Sequence, residues 1–274
     1  MPLFTTLIKT AELTEVEGNC LVFDCRAQLG DINWGKQAYL QGHIAGAYYL
    51  NLDEDLADPP NEAGRHPLPD IARWRARVGQ LGLQPEQQVV VYDDATGAYA
   101  ARAWWMFRWL GHSNVAVLDG GLKHWQQPLE QALPEPLEPT VYPTLAPLTR
   151  LIATSELHQK LDTLNPAQLI DARTRARWAG QEEPIDPIAG HIPKAICLPF
   201  QDNLGPDGCF KSSADLAVRF ANIADNPICY CGSGVTAAHN LLAMRVAGLA
   251  EPTLYADSWS GWITDPARPV ATDI

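Results

Sequence analysis

Short, nearly uninterrupted apolar runs recur along the chain: Leu21-Val22-Phe23-Asp24-Cys25-Arg26, Val90-Val91-Tyr92-Asp93, Gln168-Leu169-Ile170-Asp171-Ala172-Arg173 and Ile228-Cys229-Tyr230-Cys231. They read as strands. Longer stretches of helical character follow two of them. Ala98 to Leu110 is ended by Gly111, and Val235 to Val246 by Gly248, glycine being the residue that most readily closes a helix in the left-handed conformation. Alternation of short strands with helices predicts α/β folding, with a mainly parallel sheet flanked by helices. In such sheets ligands bind at the carboxyl ends of strands.

The runs are copies of one another. Residues 21–26 resemble 168–173, and Gly42-His43-Ile44-Ala45-Gly46-Ala47 resembles Gly190-His191-Ile192-Pro193-Lys194-Ala195. Residues 90–93 resemble 228–231, and Asp119-Gly120-Gly121-Leu122-Lys123-His124-Trp125 resembles Ala256-Asp257-Ser258-Trp259-Ser260-Gly261-Trp262. The offsets are 147, 148, 138 and 137. One length change of about ten residues, between the second and third blocks, accounts for all four. The expected organisation is a first domain over 1–132, a proline-rich linker over 133–147 and a second domain over 148–274.

The copies differ at one chemically decisive position. In the second, the strand runs into Cys231-Gly232-Ser233-Gly234-Val235-Thr236, and a helix begins. Two glycines let the backbone curl, and its N–H groups together with the helix start make a cradle for negative charge. A cysteine there is favoured as a thiolate. A core cysteine needs neither the glycines nor the helix start, and Cys229 reads as such a core residue. No Arg or Lys lies between Cys231 and Arg245, so a phosphoryl dianion would lack its counter-charge and phosphatase chemistry is disfavoured. In the first copy Asp93 takes the place of Cys231. A carboxylate cannot do the chemistry of a thiolate, so that domain is expected to be catalytically silent.

Composition narrows the class further. The chain has 274 residues, 46% hydrophobic, with a formal net charge of −12. With no basic run, nucleic acid and anionic membrane are not expected partners. The start, Met1 to Lys9, lacks the pattern of a signal peptide, and no run reaches the length of a membrane span. Cysteines 20, 25, 197, 209, 229 and 231 form neither a disulfide framework nor a zinc-ligand spacing, so a metal is not expected and a cytoplasmic setting is. His43 and His191 occupy equivalent places, as do the pairs Asp24/Arg26 and Asp171/Arg173. Repetition in a silent copy reads as structural, with His43 kept as a secondary catalytic candidate.

The paired Gly-His-Ile blocks, the strand-to-loop cysteine, the paired Asp-x-Arg strands and the Trp104-Trp105-Met106-Phe107-Arg108 helix resemble the tandem-domain rhodanese family of sulfurtransferases over nearly the whole chain. The resemblance implies two rhodanese-like domains and sulfur transfer through a persulfide on Cys231. The N–H groups of Gly232, Ser233, Gly234, Val235 and Thr236 would cradle the anion, with Ser233 close to the donor and Thr236 bonding backbone at the helix start. No metal or organic cofactor is implied. The loop resembles that of 3-mercaptopyruvate-type members, and Arg177 matches one of their two donor-binding arginines. The second should fall near Pro184-Ile185-Asp186-Pro187, where there is none. A thiol, a dithiol protein or cyanide would accept the sulfur.

Two other readings compete. Thiosulfate:cyanide transfer would suit basic residues after the cysteine, and Gly232 and Ser233 supply none. A persulfide carrier or redox-sensing module would show negligible turnover with small donors.

Overall fold

The structure is a computed structural model, described here for residues 3–16, 20–94 and 96–272; Met1 and Pro2 at the chain start and Ala95 in the first copy's loop lie outside that set. The chain forms two compact units. The first comprises Met1–Asp58, Pro69–Leu148 and Pro206–Cys209, and the second Pro59–Leu68, Thr149–Gly205 and Phe210–Ile274. Each repeat therefore lends a short segment to the unit built by the other.

The first unit contains β1 (Leu7–Ile8), α1 (Thr10–Val16), β2 (Cys20–Asp24), α2 (Trp34–Gln41), β3 (Tyr48–Tyr49), α3 (Ile71–Gln80), β4 (Gln88–Tyr92), α4 (Ala98–Trp109) and β5 (Val115–Leu118). The second contains β6 (Arg150–Leu151), α5 (Thr154–Lys160), β7 (Leu169–Asp171), α6 (Arg175–Ala179), β8 (Ile196–Cys197), α7 (Ser213–Arg219), β9 (Ile228–Tyr230), α8 (Ala237–Val246), β10 (Thr253–Leu254) and α9 (Ser258–Trp262). The sheets have orders β1-β5-β4-β2-β3 and β6-β10-β9-β7-β8, which are the same order in the two repeats. Every strand pairing within them is parallel.

The apolar runs are strands because both faces are covered. All five residues of β4 and all three of β9 are buried, which is what a parallel sheet between helices demands. The same locks recur in both units. Arg26 grips Asp24 through Nε and Nη2 and donates to Gly42 O at 2.7 Å; Arg173 repeats this with Asp171 and Gly190 O at 2.6 Å. Tyr92 and Tyr230 each accept a backbone N–H 3.1 Å away, from Ile44 and Ile192. Gly111 and Gly248, at φ 85° and 81°, close α4 and α8 as the pattern predicts. The N–H groups that bond back are Gly111 to Arg108 and His112 to Phe107, then Gly248 to Arg245 and Leu249 to Met244. α8 begins at Ala237 rather than Val235 because residues 232–236 form the turn.

The proline-rich stretch is extended, yet it lies against the first unit rather than spanning free. Thr140 N–H donates to Gly79 O at 2.8 Å, Leu148 N–H to Arg108 O at 3.0 Å, and His112 Nδ1 meets Tyr142 Oη at 2.8 Å. Proline leaves fewer N–H groups to satisfy, and those of Thr140 and Leu148 find carbonyls on α3 and α4.

Candidate active site

β9 delivers Cys231 to the carboxyl end of the second sheet, where it is 1% exposed. The backbone around it is clamped by α9. Cys231 N–H donates to Ser258 Oγ at 3.1 Å, Trp259 N–H to Cys231 O at 3.0 Å, and Ser260 N–H to Gly232 O at 2.9 Å. The loop then turns back so that Gly234 N–H donates to Cys231 Sγ at 3.2 Å. Gly234 has φ +79°, and a Cβ there would stand 2.2 Å from Ala256 O, so the turn needs glycine. Val235 O and Thr236 O accept from Ala238 and His239 N–H at 3.2 Å, opening α8. The expected side-chain role of Thr236 is corrected. Its backbone is already helical, at φ −73° and ψ −14°, and its side chain makes no capping bond, because capping needs an extended residue.

Ser233 is 6% exposed, and its hydroxyl lies 2.7 Å from His66 Nδ1, with His66 8% exposed. His66 comes from Pro59–Leu68, the segment that joins the second unit. It is anchored on α9 and the turn after it, where Arg65 N–H donates to Ser260 Oγ at 3.1 Å and Thr264 Oγ1 donates to Glu62 O at 3.2 Å.

Arg177, on α6, donates to Glu183 through Nε at 3.1 Å and Nη2 at 2.6 Å, and to Asp186 Oδ2 at 3.0 Å. Arg65 grips Asp186 through Nε at 2.9 Å and Nη2 at 3.1 Å. A Cβ on Gly232 would lie 2.8 Å from Arg65 Nη2 and 3.4 and 3.5 Å from Arg177 Nη1 and Nη2. Two guanidinium groups thus overlook the residue next to Cys231. Burial raises Glu183, but the Arg177 hydrogen bond and the N–H groups of Asp186 and Ile185 outweigh it and hold the carboxyl below its usual range. Burial likewise opposes the charge on Arg173, yet Asp171 overrides it and keeps that group above its ordinary value. The Arg173 guanidinium also lies 4.8 Å over the Trp259 ring.

Other candidates fall elsewhere. His43 belongs to the first unit, fully buried, with Nδ1 2.8 Å from Tyr39 O and its ring 4.0 Å from the Tyr39 ring. His191 does the same with Trp178, at 2.7 and 4.3 Å. His43 is therefore corrected to a structural residue, since a sealed ring common to both repeats cannot reach a donor. Asp93 accepts from Gly97, Tyr99 and Ala100 N–H at 2.9, 3.0 and 3.2 Å, so its own carboxylate fills the first copy's anion cradle. Burial pushes the thiols of Cys25 and Cys229 well up, and those of Cys197 and Cys209 to about 11.

A family description, the rhodanese-like domain, matches residues 10–128 and again 153–265. A relative in Pseudomonas aeruginosa named "Probable 3-mercaptopyruvate sulfurtransferase" is 46% identical over 267 residues, covering 93% of this chain and 93% of its own. The "Thiosulfate sulfurtransferase" of Bos taurus is 34% identical over 241 residues, covering 83% of this chain and 79% of its own. Among solved structures, SseA of Escherichia coli, a 3-mercaptopyruvate sulfotransferase, is similar with a TM-score of 0.80 at 29% identity, over 94% of this chain and 100% of that one. With the same fold built twice and a cysteine loop in the second copy only, the chain belongs to the rhodanese family.

Proposed function

We propose that this protein is a sulfurtransferase of the 3-mercaptopyruvate type that carries sulfur as a persulfide on Cys231. The observation that carries the reading is the Cys231 loop itself. Its sulfur sits at a strand end against the Gly234 N–H, beside a Ser–His pair, in a loop whose side chains are uncharged. The names of the relatives divide between mercaptopyruvate and thiosulfate. The uncharged loop favours the monoanionic keto acid over the dianion.

The Cys231 thiolate attacks the thiol sulfur of the donor. An S–S bond forms, the donor C–S bond breaks, and its electron pair passes to the enolate of pyruvate. The proton lost by the donor thiol must reach the methylene carbon. Ser233 and His66, already hydrogen-bonded, form a route for it. The terminal persulfide sulfur is anionic and lies among the loop N–H groups that end in α8. A thiol, a dithiol protein or cyanide then takes that sulfur and restores Cys231. No disulfide forms among the described residues, which suits a reducing cytoplasm, and no helix among them is long and apolar enough to cross a membrane.

The test is mass spectrometry after treatment with 3-mercaptopyruvate. One added sulfur is expected on the peptide containing Cys231, with no turnover in Cys231→Ser. Higher kcat/KM for mercaptopyruvate than for thiosulfate is expected in the wild type. Full activity in Cys231→Ser would sink the mechanism, and a preference for thiosulfate would sink the donor.

A further inference from the structure

We propose that Glu183 is a specificity-determining residue: by fixing the plane of the Arg177 guanidinium and cancelling its charge, it makes the space beside Cys231 select a planar monocarboxylate over a tetrahedral dianion. This deepens the donor reading above and rests on it. Glu183 lies between α6 and β8, with its side chain 4% exposed. It meets Arg177 edge to edge, accepting from Nε through Oε2 at 3.1 Å and from Nη2 through Oε1 at 2.6 Å. Two parallel bonds of this kind hold a guanidinium and a carboxylate in one plane.

The carboxylate is itself held still. Its Oε2 also accepts from Arg173 Nη1 at 3.2 Å, and its Oε1 from the N–H groups of Ile185 and Asp186 at 3.2 and 3.1 Å. Arg173 is locked in turn to Asp171 and to Gly190 O. The orientation of Arg177 is thereby tied to the end of β7. Asp186 Oδ2 adds a further bond to Arg177 Nη2 at 3.0 Å. The opposite edge of the fork faces the loop, with Nη1 and Nη2 lying 3.4 and 3.5 Å from where a Cβ on Gly232 would stand. Nη1 takes part in none of the bonds to Glu183 and Asp186.

The first repeat is an internal control. Arg26 and Asp24 reproduce the Arg173–Asp171 lock, down to the bond to Gly42 O. The offset of 147 puts Gly30 opposite Arg177, and offsets of 147 and 148 put Lys36 and Gly35 opposite Glu183. Arg26 Nη2 turns to Ala38 O instead, at 3.2 Å. The lock is common to both repeats and builds the unit. The acid that joins the lock to a second arginine exists only in the repeat that holds Cys231.

A 2-keto acid carries a carboxylate oxygen and the keto oxygen side by side in one plane. Only a fork held in that plane gives both of them good bonds. A tetrahedral dianion has oxygens in every direction and is drawn chiefly by net charge. Burial opposes the charge on Glu183, yet the Arg177 bond and the two N–H groups outweigh it and keep the group ionised. Arg177 is therefore neutralised where it stands. Directed bonds are kept and surplus charge is removed, which serves the planar monoanion and handicaps the dianion.

The test uses two unreactive anions, pyruvate for the planar monocarboxylate and sulfate for the tetrahedral dianion. Each is titrated for protection of Cys231 against neutral iodoacetamide. In Glu183→Gln the half-protecting concentration of pyruvate should rise about tenfold while that of sulfate stays level or falls, so the pyruvate-to-sulfate ratio rises about tenfold or more. Glu183→Asp keeps the charge but is one methylene shorter, and should move the ratio the same way by about threefold. It decides the question alone if the glutamine variant fails to fold. A ratio that stays within about twofold of the wild type overturns the proposal, whether both concentrations rise, as from a disturbed fold, or both fall, as from lost charge alone. In turnover, KM for 3-mercaptopyruvate should rise about tenfold in Glu183→Gln with kcat little changed, and an equal rise for thiosulfate would also overturn it. If the wild type prefers thiosulfate, the donor reading fails by itself, and the protection ratio, which involves no sulfur donor, still decides the role of Glu183.

Discussion

His66 Nδ1 and Ser233 Oγ stand 2.7 Å apart although 167 positions separate them in the chain. The pair matters only for a donor whose sulfur carries a proton. Breaking the C–S bond of mercaptopyruvate requires that proton to reach carbon, whereas thiosulfate releases sulfite with no proton moved. His66→Ala and Ser233→Ala should each lower kcat with mercaptopyruvate by roughly a hundredfold. The double variant should be little worse than either one, because the two act as a unit. Rates of Cys231 persulfide formation from thiosulfate should change far less. Equal losses with both donors would show that the pair only shapes the loop.

The two loop glycines should separate binding from folding. A Cβ at Gly232 meets the ends of Arg65 and Arg177, which can yield; a Cβ at Gly234 meets the backbone oxygen of Ala256 at 2.2 Å with φ +79°. Gly232→Ala should raise the donor KM while changing stability by less than about 1 kcal/mol. Gly234→Ala should cost at least ~2 kcal/mol. Urea unfolding of each variant, alongside donor titrations, checks the contrast.

Asp93 is a structural anion in the first unit. Replacing it with alanine leaves the N–H groups of Gly97, Tyr99 and Ala100 without the carboxylate they share. Asp93→Ala should destabilise the protein by about 1–2 kcal/mol, with sulfur transfer per folded molecule unchanged. Denaturant melts and active-site titration give the two numbers.

Burial lowers His112 from 6.5 to about 4. The folded state keeps the ring neutral where the unfolded chain takes up a proton. The stability this provides is complete above about pH 6.5 and is lost as the pH falls toward 4, a change on the order of 3 kcal/mol. His112→Phe should be less stable at pH 8, having lost the bond to Tyr142, yet show a shallower decline between pH 6.5 and 4. Urea midpoints across that range test the slope. An equally steep decline in the variant would assign the acid sensitivity to other groups.

Both sheets and the place of Cys231 at a strand end were legible because the repeat lets each copy check the other. Tyr92-Asp93 against Tyr230-Cys231 marks the strand end, and Gly111 against Gly248 marks the end of the following helix. The repetition also argued for a structural His43, and the structure buries that ring against Tyr39. Arg65 and His66 were illegible for the opposite reason. They belong to Pro59–Leu68, ten residues in the first repeat, and the offsets between repeats carry a change of about ten in the same interval. That excess length was the available signal. A loop longer than its counterpart in the sister copy has its reason elsewhere in the fold. Asp186 was similarly misleading: an acid where an arginine was sought reads as a loss until Arg65 is seen bound to it.

The exchanged segment bears on why a copy without a nucleophile is kept at all. After a duplication, a half that carries no reacting group of its own is free to decay or to be deleted. Here deletion of the first repeat would remove Arg65 and His66 along with it. Inheritance of the second repeat's activity is thereby tied to the survival of the first, and the smallest heritable unit of function is the pair.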